Sequence, residues 1–266
     1  MNILFLGDVV GKVGRKALLS ELKKIKSTYS IDFTIVNCEN ITHGKGINKN
    51  HYLFVKSLGV DAITLGNHYH NKIEIDNFIN SVDILIRPLN LENYNLGLGS
   101  RVFKVNGKKI RVTNLLCKTF MPEIGIASPK DSLENLINSD EEDVDLHIVD
   151  LHGEATGEKL SLAYYFDGKV SAFLGTHTHV QTNDFKILDN GTAYISDVGM
   201  CGAYHSILGV DPNSVIKKTL LNEKSVFKIN KKDSYIINGI VLHVDDETNK
   251  ITSGELINLI EDEKRD

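Results

Sequence analysis

Ala172-Phe173-Leu174-Gly175-Thr176-His177-Thr178-His179 is a short apolar run that ends at a glycine and then delivers two histidines. Its length and composition read as a buried strand stopping at a polar edge. On an extended chain, side chains at i and i+2 lie on the same side. His177 and His179 are therefore expected to aim together beyond the strand end. Neutral imidazole is the commonest protein ligand for zinc, iron and similar ions. A His-x-His pair by itself is as readily two surface histidines, so the other strands must decide its meaning.

The rest of the chain repeats the pattern. Residues 2–6 form a continuous apolar strand ending in Gly7-Asp8, with a helix expected over 15–28. A second strand at 33–36 ends in Asn37-Cys38-Glu39-Asn40 and is followed by a helix at 49–58. A third at 62–65 ends in Gly66-Asn67-His68, and a helix at 73–79 leads to a fourth strand at 84–87, closed by Pro88. Further on, a strand at 146–150 runs into Leu151-His152, a helix spans 159–166, and a strand at 193–196 ends in Asp197-Val198-Gly199. Uninterrupted apolar strands are buried on both faces, and their alternation with helices predicts βαβ units in a mainly parallel sheet. Asn106-Gly107 between 102–105 and 110–114 is a hairpin signal. Short helices are expected at 131–137 and 215–220. Antiparallel strands are expected at 225–229, 236–244 and 251–257, and the charged tail 261–266 is expected to fray. With no repeat or linker, the reading is a single domain over 1–266, with a small cap-like hairpin insertion around 88–130 as an added feature.

Composition excludes several classes. Hydrophobic residues are 41% and charged residues 24% of the 266, enough apolar material for a full core. Net charge is -5, so no global basic field draws in nucleic acid. No run of about 18 apolar residues is present, so no membrane-spanning helix is expected. The opening run lacks a basic segment and a small-residue cleavage site, so no signal peptide is expected. Cys38, Cys117 and Cys201 are scattered, which suits a reducing cytoplasm, the expected location, and rules out a Cys-x-x-Cys zinc site.

Polar groups collect where strands stop: Asp8; Glu39 and Asn40; Asn67 and His68; His152; His177 and His179. Ligands of open α/β sheets bind beyond the carboxyl ends of the strands. Carboxylates, amide oxygens and imidazoles around one point suit manganese, iron or zinc. The set is too large for one ion and sufficient for two sharing a carboxylate, the arrangement that clamps an in-line phosphoryl displacement. Singly, Asp8 reads as a helix N-cap, Glu39 as solvated, Asn67 as turn chemistry and His152 as structural. Those bland readings would have to hold together at five strand ends. Gly7 to Arg15 fails the phosphate-loop pattern, because three residues separate Gly7 from Gly11 and Val13 follows Lys12. His147 falls on the opposite strand face from His152, whereas Asp150 shares its face and is placed to hold an imidazole. His51, His205 and His243 show no partner in the pattern.

Gly66-Asn67-His68 and Gly175 to His179 resemble the calcineurin-like metallophosphoesterases. Gly7-Asp8-Val9-Val10-Gly11, Glu39-Asn40, His43-Gly44-Lys45-Gly46, Asp61 to His68, Arg87-Pro88, Asp150 to His152, Glu154-Ala155-Thr156, Glu158-Lys159 and Gly175 to Gln181 extend the resemblance to the bacterial YmdB-like branch from end to end. The resemblance implies an α/β fold, a four-layered α/β sandwich of the calcineurin-like metallophosphoesterase type. It implies two metal ions, iron or manganese foremost with zinc open, and hydrolysis of phosphodiesters such as 2′,3′-cyclic nucleotides. Asp8 matches a first-metal ligand, Glu39 the bridging carboxylate, and Asn67, His152 and His177 second-metal ligands. His179 matches a first-metal ligand. Val10 stands where the superfamily has a histidine, and Asn40 fills that place. His68 matches the general acid, although Tyr69 and Asn71 stand where acidic residues that tune it are usual. His43, Lys45 and Arg87 match phosphate contacts.

The implied reaction is attack by a hydroxide bridging the ions, with His68 protonating the leaving alkoxide. A phosphomonoesterase or nucleotidase on the same ions is the alternative enzyme. A metal-stabilised regulatory RNA-binding protein is the alternative of another class, and di-iron redox chemistry fits the ligand types without an electron partner. The expected partner is a small phosphodiester, with RNA and a homo-oligomer left open and no membrane.

Overall fold

The computed structural model describes residues 1–121, 125–139, 142–232 and 234–262. The part of the expected tail at 263–266, and residues 122–124 of the 88–130 insertion, lie outside the described residues. Two mixed sheets carry the fold. The chain opens with β1 (Asn2–Leu6), β2 (Asp8–Val9), α1 (Gly11–Thr28), β3 (Phe33–Asn37), α2 (Lys49–Ser57), β4 (Ala62–Thr64) and β5 (Leu85–Ile86). It crosses to the second sheet with β6 (Ser100–Val105), β7 (Lys108–Leu116), α3 (Pro129–Ser139), β8 (Leu146–His152), α4 (Thr156–Tyr165), β9 (Ala172–Thr176), β10 (Lys186–Ile187) and β11 (Ala193–Ile195). It returns through β12 (Met200–Ala203), α5 (Pro212–Thr219), β13 (Tyr235–Val244) and β14 (Ile251–Glu261). In the first sheet β1, β3, β4 and β5 are parallel neighbours, and β13 joins β1, β12 and β14 antiparallel. In the second, β7, β8, β9 and β11 are parallel, with β6 and β10 antiparallel at the edges. The Asn106-Gly107 hairpin is thus the edge of a main sheet.

Strand alternation sorts the core into layers. Ile3, Phe5 and Ile35 from the first sheet pack on Val112, Ile148 and Leu174 from the second. The opposite residues of β1, Leu4 and Leu6, pack on Leu18 and Leu22 of α1. Val149, Leu151 and Phe173 on the outer face of the second sheet pack on Leu133 of α3 and Leu162 of α4. Helix, sheet, sheet and helix are the four layers that the resemblance implies. No helix among the described residues is long and apolar enough to cross a membrane.

Three elements differ from expectation. Residues 225–229 form no strand, because only Ile229 bridges, to Val210, and no neighbouring strand pairs with the rest. The helix expected at 73–79 is two 3-10 turns, Ile73–Asn77 and Ile79–Ser81, where β-branched and Asn residues favour helices weakly. Glu261 belongs to β14 and not to the tail.

Candidate metal centre

The carboxyl ends of the parallel strands of both sheets meet at one end of the sandwich. From the first sheet, Asp8 follows β1 and is fully buried. Its Oδ2 accepts the His177 N–H at 3.1 Å, whereas its Oδ1 is buried with no hydrogen-bond partner. Burial pushes this carboxyl up to about 7; Glu39 and Asp197 add to that, against His179 and His152. Glu39, two residues past β3, is fixed by the Asn37 side chain, which accepts the Glu39 N–H at 3.0 Å. Glu39 Oε2 accepts the His68 N–H at 3.1 Å and lies 3.2 Å from His152 Nε2. Burial pushes Glu39 up, but His152 and His68 outweigh it and hold the group below the carboxylate range. A Cβ at Gly66 would overlap both Glu39 Oε2 and His152 Nε2. Only glycine lets the Asn67-His68 turn cross so close.

The second sheet supplies the imidazoles. Thr176 Oγ1 donates to Asp150 Oδ1 at 2.7 Å and stands 2.8 Å from His152 Nδ1. Because the hydroxyl proton goes to Asp150, the same oxygen accepts from Nδ1–H, which leaves the lone pair on Nε2. Around that Nε2 lie Asn67 Oδ1 at 3.1 Å, His177 Nδ1 at 3.1 Å and Glu39 Oε2 at 3.2 Å. Lone-pair atoms crowded at this spacing suit a shared cation. Burial lowers the His152 pKa, yet Glu39, Asp8 and Asp150 overcome it and push it up to about 9, so without a metal Nε2 carries a proton at neutral pH, and that is the proton a bound ion would displace. The same excess of negative potential would attract a metal ion. His177 is held down to about 3 by burial and by His152.

A second group forms beside the first. His179 Nδ1 lies 3.0 Å from the Leu208 carbonyl and can only donate there, so Nε2 is the free acceptor, 3.0 Å from Asn40 Oδ1. Asn40 Nδ2 donates to the Gly44 carbonyl at 2.9 Å, which turns Oδ1 inward. Two donor sets result, Glu39 with His152 and His177, and Asp8 with Glu39 and His179, and each is compact enough to hold an ion. The expectation that His177 and His179 share one side of an extended chain is corrected. β9 stops at Thr176, and both histidines adopt positive φ, 105° and 64°, so the pair diverges.

Residues of weak sequence signal hold this loop. Lys159 of α4 is fully buried and donates to the Thr176 and Ser196 carbonyls, each at 2.8 Å. It pairs with Asp197 at 3.4 Å, and Asp197 also accepts the Thr178 N–H at 2.9 Å and the Gly199 N–H at 2.8 Å. Thr176, Asn37 and Lys159 stand within the strand-end and motif stretches of the sequence but carry no individual role there, because threonine is ordinary in strands, asparagine at strand ends and lysine on solvated helix faces.

His68 sits half-buried at the rim; burial, Lys45 and His152 lower its pKa against Glu39 and the Asn71 side chain. Tyr69 turns instead to Tyr94, with ring centroids 5.1 Å apart. His43 and Lys45 are exposed on the loop after Asn40. Arg87, expected as a phosphate contact, donates through Nε and Nη1 to the carbonyls of Leu96, Pro88 and Leu89 and braces that loop. His51, His205 and His243 do have partners, Thr42, Asp262 and Asn2.

The family model of YmdB-like proteins matches residues 4–257. The chain belongs to the YmdB-like family. The Bacillus subtilis 2′,3′-cyclic-nucleotide 2′-phosphodiesterase is 43% identical over 263 residues, 99% of this YmdB-like chain and 98% of that protein. A crystal structure of a novel phosphatase from Mycoplasma pneumoniae has a TM-score of 0.93 at 41% identity, covering 98% of this chain and 94% of that one. Haemophilus influenzae NAD nucleotidase, at 14% identity and a TM-score of 0.56, shares the fold over 98% of this chain and 56% of its own. This YmdB-like protein is a phosphoester hydrolase.

Proposed function

We propose that the chain hydrolyses phosphodiesters, 2′,3′-cyclic nucleotides foremost, at a centre of two metal ions, iron or manganese before zinc. The observation that carries this is the sharing of Glu39 between both donor groups, beside an Asp8 Oδ1 that is buried without a partner. Glu39, Asn67, His152 and His177 would hold one ion, and Asp8, Glu39, Asn40 and His179 the other. Carboxylate, amide and imidazole donors without a thiolate suit those metals. When bound, the pair supplies Lewis acidity at the phosphate oxygens and lowers the pKa of water from about 15.7 toward about 7.

The chain's own groups do the rest. Thr176 and the Leu208 carbonyl fix the tautomers of His152 and His179, so both Nε2 lone pairs face the centre. The His68 N–H orients Glu39, and its ring, at the rim, delivers the proton to the leaving ribose oxygen. The substrate class follows the activity named for the Bacillus subtilis relative. Metal analysis and a hydrolysis panel on one preparation test the reading. Two ions per chain, preference for 2′,3′-cyclic AMP over a nucleoside monophosphate, and loss of metal and activity together in Asp8→Asn are expected. Fewer than two ions after reconstitution refutes the two-metal centre, and faster monoester cleavage makes the protein a nucleotidase.

A further inference from the structure

Residues 204–232 form a lobe against this centre. The Asp211 N–H donates to the Lys228 carbonyl at 2.7 Å and the Asn230 N–H to the Gly209 carbonyl at 2.9 Å, which ties the lobe to itself. It reaches the metal centre at two points. The Leu208 carbonyl fixes His179, and Ile229 packs on Gly44 so closely that a Cβ there would overlap it. Gly44 is the residue whose carbonyl orients Asn40.

The charge of this lobe opposes that of the chain. Lys217, Lys218, Lys224, Lys228, Lys231 and Lys232 fall within residues 204–232, where Asp211 and Glu223 are the acidic residues, in a protein of net charge -5. All six are exposed. Lys218 Nζ stands 4.3 Å from the centroid of the Phe227 ring, itself 48% exposed. Against the lobe lies a cavity of about 740 Å³, walled by Lys12 and His43 on the Asn40 side and by Asp211, Phe227, Lys228, Lys231 and Lys232 of the lobe.

A mononucleotide carries one phosphate and cannot engage this many lysines. A chain of phosphates can, with release of its counterions, and an exposed aromatic ring offers a stacking platform for a base. A second copy of the protein across a two-fold axis would set lysine against lysine. A concave wall opening onto the Asn40 loop also suits a polymer whose end lies in the centre better than a flat lipid surface.

We propose that this centre acts on the end of single-stranded RNA carrying a 2′,3′-cyclic phosphate, with the upstream phosphates held along the lysine lobe. The inference rests on the phosphodiesterase reading above. The step is hydrolysis: a water oxygen bonds to phosphorus, one bond from phosphorus to a ribose oxygen breaks, and that oxygen takes a proton. The products are a terminal phosphomonoester and a free hydroxyl.

The test uses the full chain reconstituted with Mn²⁺. The substrates are 2′,3′-cyclic AMP and an RNA of about ten nucleotides ending in the cyclic phosphate, within the usual site size of single-strand binders. The wild type should show kcat/KM at least tenfold higher for the RNA, with binding that weakens steeply in salt. The triple variant Lys228→Gln/Lys231→Gln/Lys232→Gln should lose that preference tenfold or more, mainly in KM. Its log–log salt slope should flatten by about 2, since each neutralised phosphate contributes roughly 0.7 for single strands. A thermal melt controls for folding, and Lys217→Gln/Lys218→Gln, on α5 with Lys218 over the Phe227 ring of the cavity wall, should lose part of the same preference; full wild-type preference in both variants overturns the inference. Equal kcat/KM for the two substrates in the wild type overturns the inference and leaves the phosphodiesterase reading standing. Hydrolysis of neither substrate by metal-loaded protein refutes that reading, and the inference with it. Binding to phosphatidylserine vesicles without binding to RNA assigns the lobe to membranes and overturns the proposal.

Discussion

Replacing Thr176 by valine removes one hydroxyl and little shape from the base of the centre. The hydroxyl is buried and spans 2.8 Å to His152 Nδ1 and 2.7 Å to Asp150 Oδ1. Asp150 keeps its bond from Asn37 Nδ2 at 2.9 Å, so it is not wholly abandoned. Each buried group left without a partner costs about 1–3 kcal/mol, giving about 2–6 kcal/mol for the two. At about 2–4 °C per kcal/mol for a chain near this size, the metal-free protein should melt roughly 4–24 °C lower. The sharper effect concerns ligation. Without an acceptor at Nδ1, the His152 ring is free to take the tautomer that protonates Nε2, and loss of such an outer partner typically lowers metal affinity about 10–100-fold. Titration calorimetry with Mn²⁺ measures this, and Thr176→Ser, which restores the hydroxyl, should recover most of it. Wild-type metal affinity in Thr176→Val would refute the claim that the Asp150–Thr176–His152 chain orients the ligand. Equal losses in the Ser and Val variants would instead implicate packing of the threonine methyl.

Other substitutions probe neighbouring parts of the same construction. Gly66→Ala places a Cβ where Glu39 Oε2 and His152 Nε2 already sit, so the purified protein should retain fewer than two ions by elemental analysis. His68→Ala should keep its metal and lose about 10²–10⁴-fold in kcat, the usual worth of a general acid; an unchanged kcat on 2′,3′-cyclic AMP would remove His68 from the mechanism. Lys159→Met strands the Asp197 carboxylate, which is 1% exposed, and breaking such a buried pair costs about 3–5 kcal/mol. The melting point should fall by roughly 6–20 °C and metal affinity should fall too, with partial recovery of both in Lys159→Met/Asp197→Asn.

The strands of the parallel cores were legible because burial on both faces leaves uninterrupted apolar runs, as at Ile3 to Leu6 in β1 and Ala172 to Leu174 in β9. Their carboxyl ends share an edge, so the donor residues could be gathered from sequence order alone. The division into two sheets was not legible in periodicity, which reports which faces of a strand are buried and not which sheet it joins. β2, β5 and β10 have two residues each, too few for any period. Residues 225–229 mislead in the opposite sense: Val226 and Phe227 have strand character, but they are 77% and 48% exposed and have no ladder to join. The divergence of His177 and His179 depends on positive φ at non-glycine residues, a conformation the i, i+2 rule excludes. Lys159 hides because a lysine on a helix is ordinarily solvated, and its burial follows from two carbonyls and a carboxylate contributed by distant strands.

Each donor group draws on both sheets. Glu39 follows β3 of the first sheet, whereas His152 ends β8 and His177 follows β9 of the second. Asp8 and Glu39 likewise belong to the first sheet and His179 to the chain leaving β9. An ion in either group would therefore act as a cross-link at one end of the sandwich, where the apolar packing between the sheets gives way to buried charge. Metal bound to the folded state alone adds RT ln(1 + [L]/Kd), about 2.7 kcal/mol at one hundred times Kd, which corresponds to a rise of roughly 5–11 °C in melting temperature. The rise should be largest for amides of β3, β8 and β9 followed by hydrogen exchange, since these strands end at the cross-link. Protection gained instead at the turn 245–250 between β13 and β14, which adjoins Asn2 at the opposite end of β1 from Asp8, would show that the metal does not join the sheets.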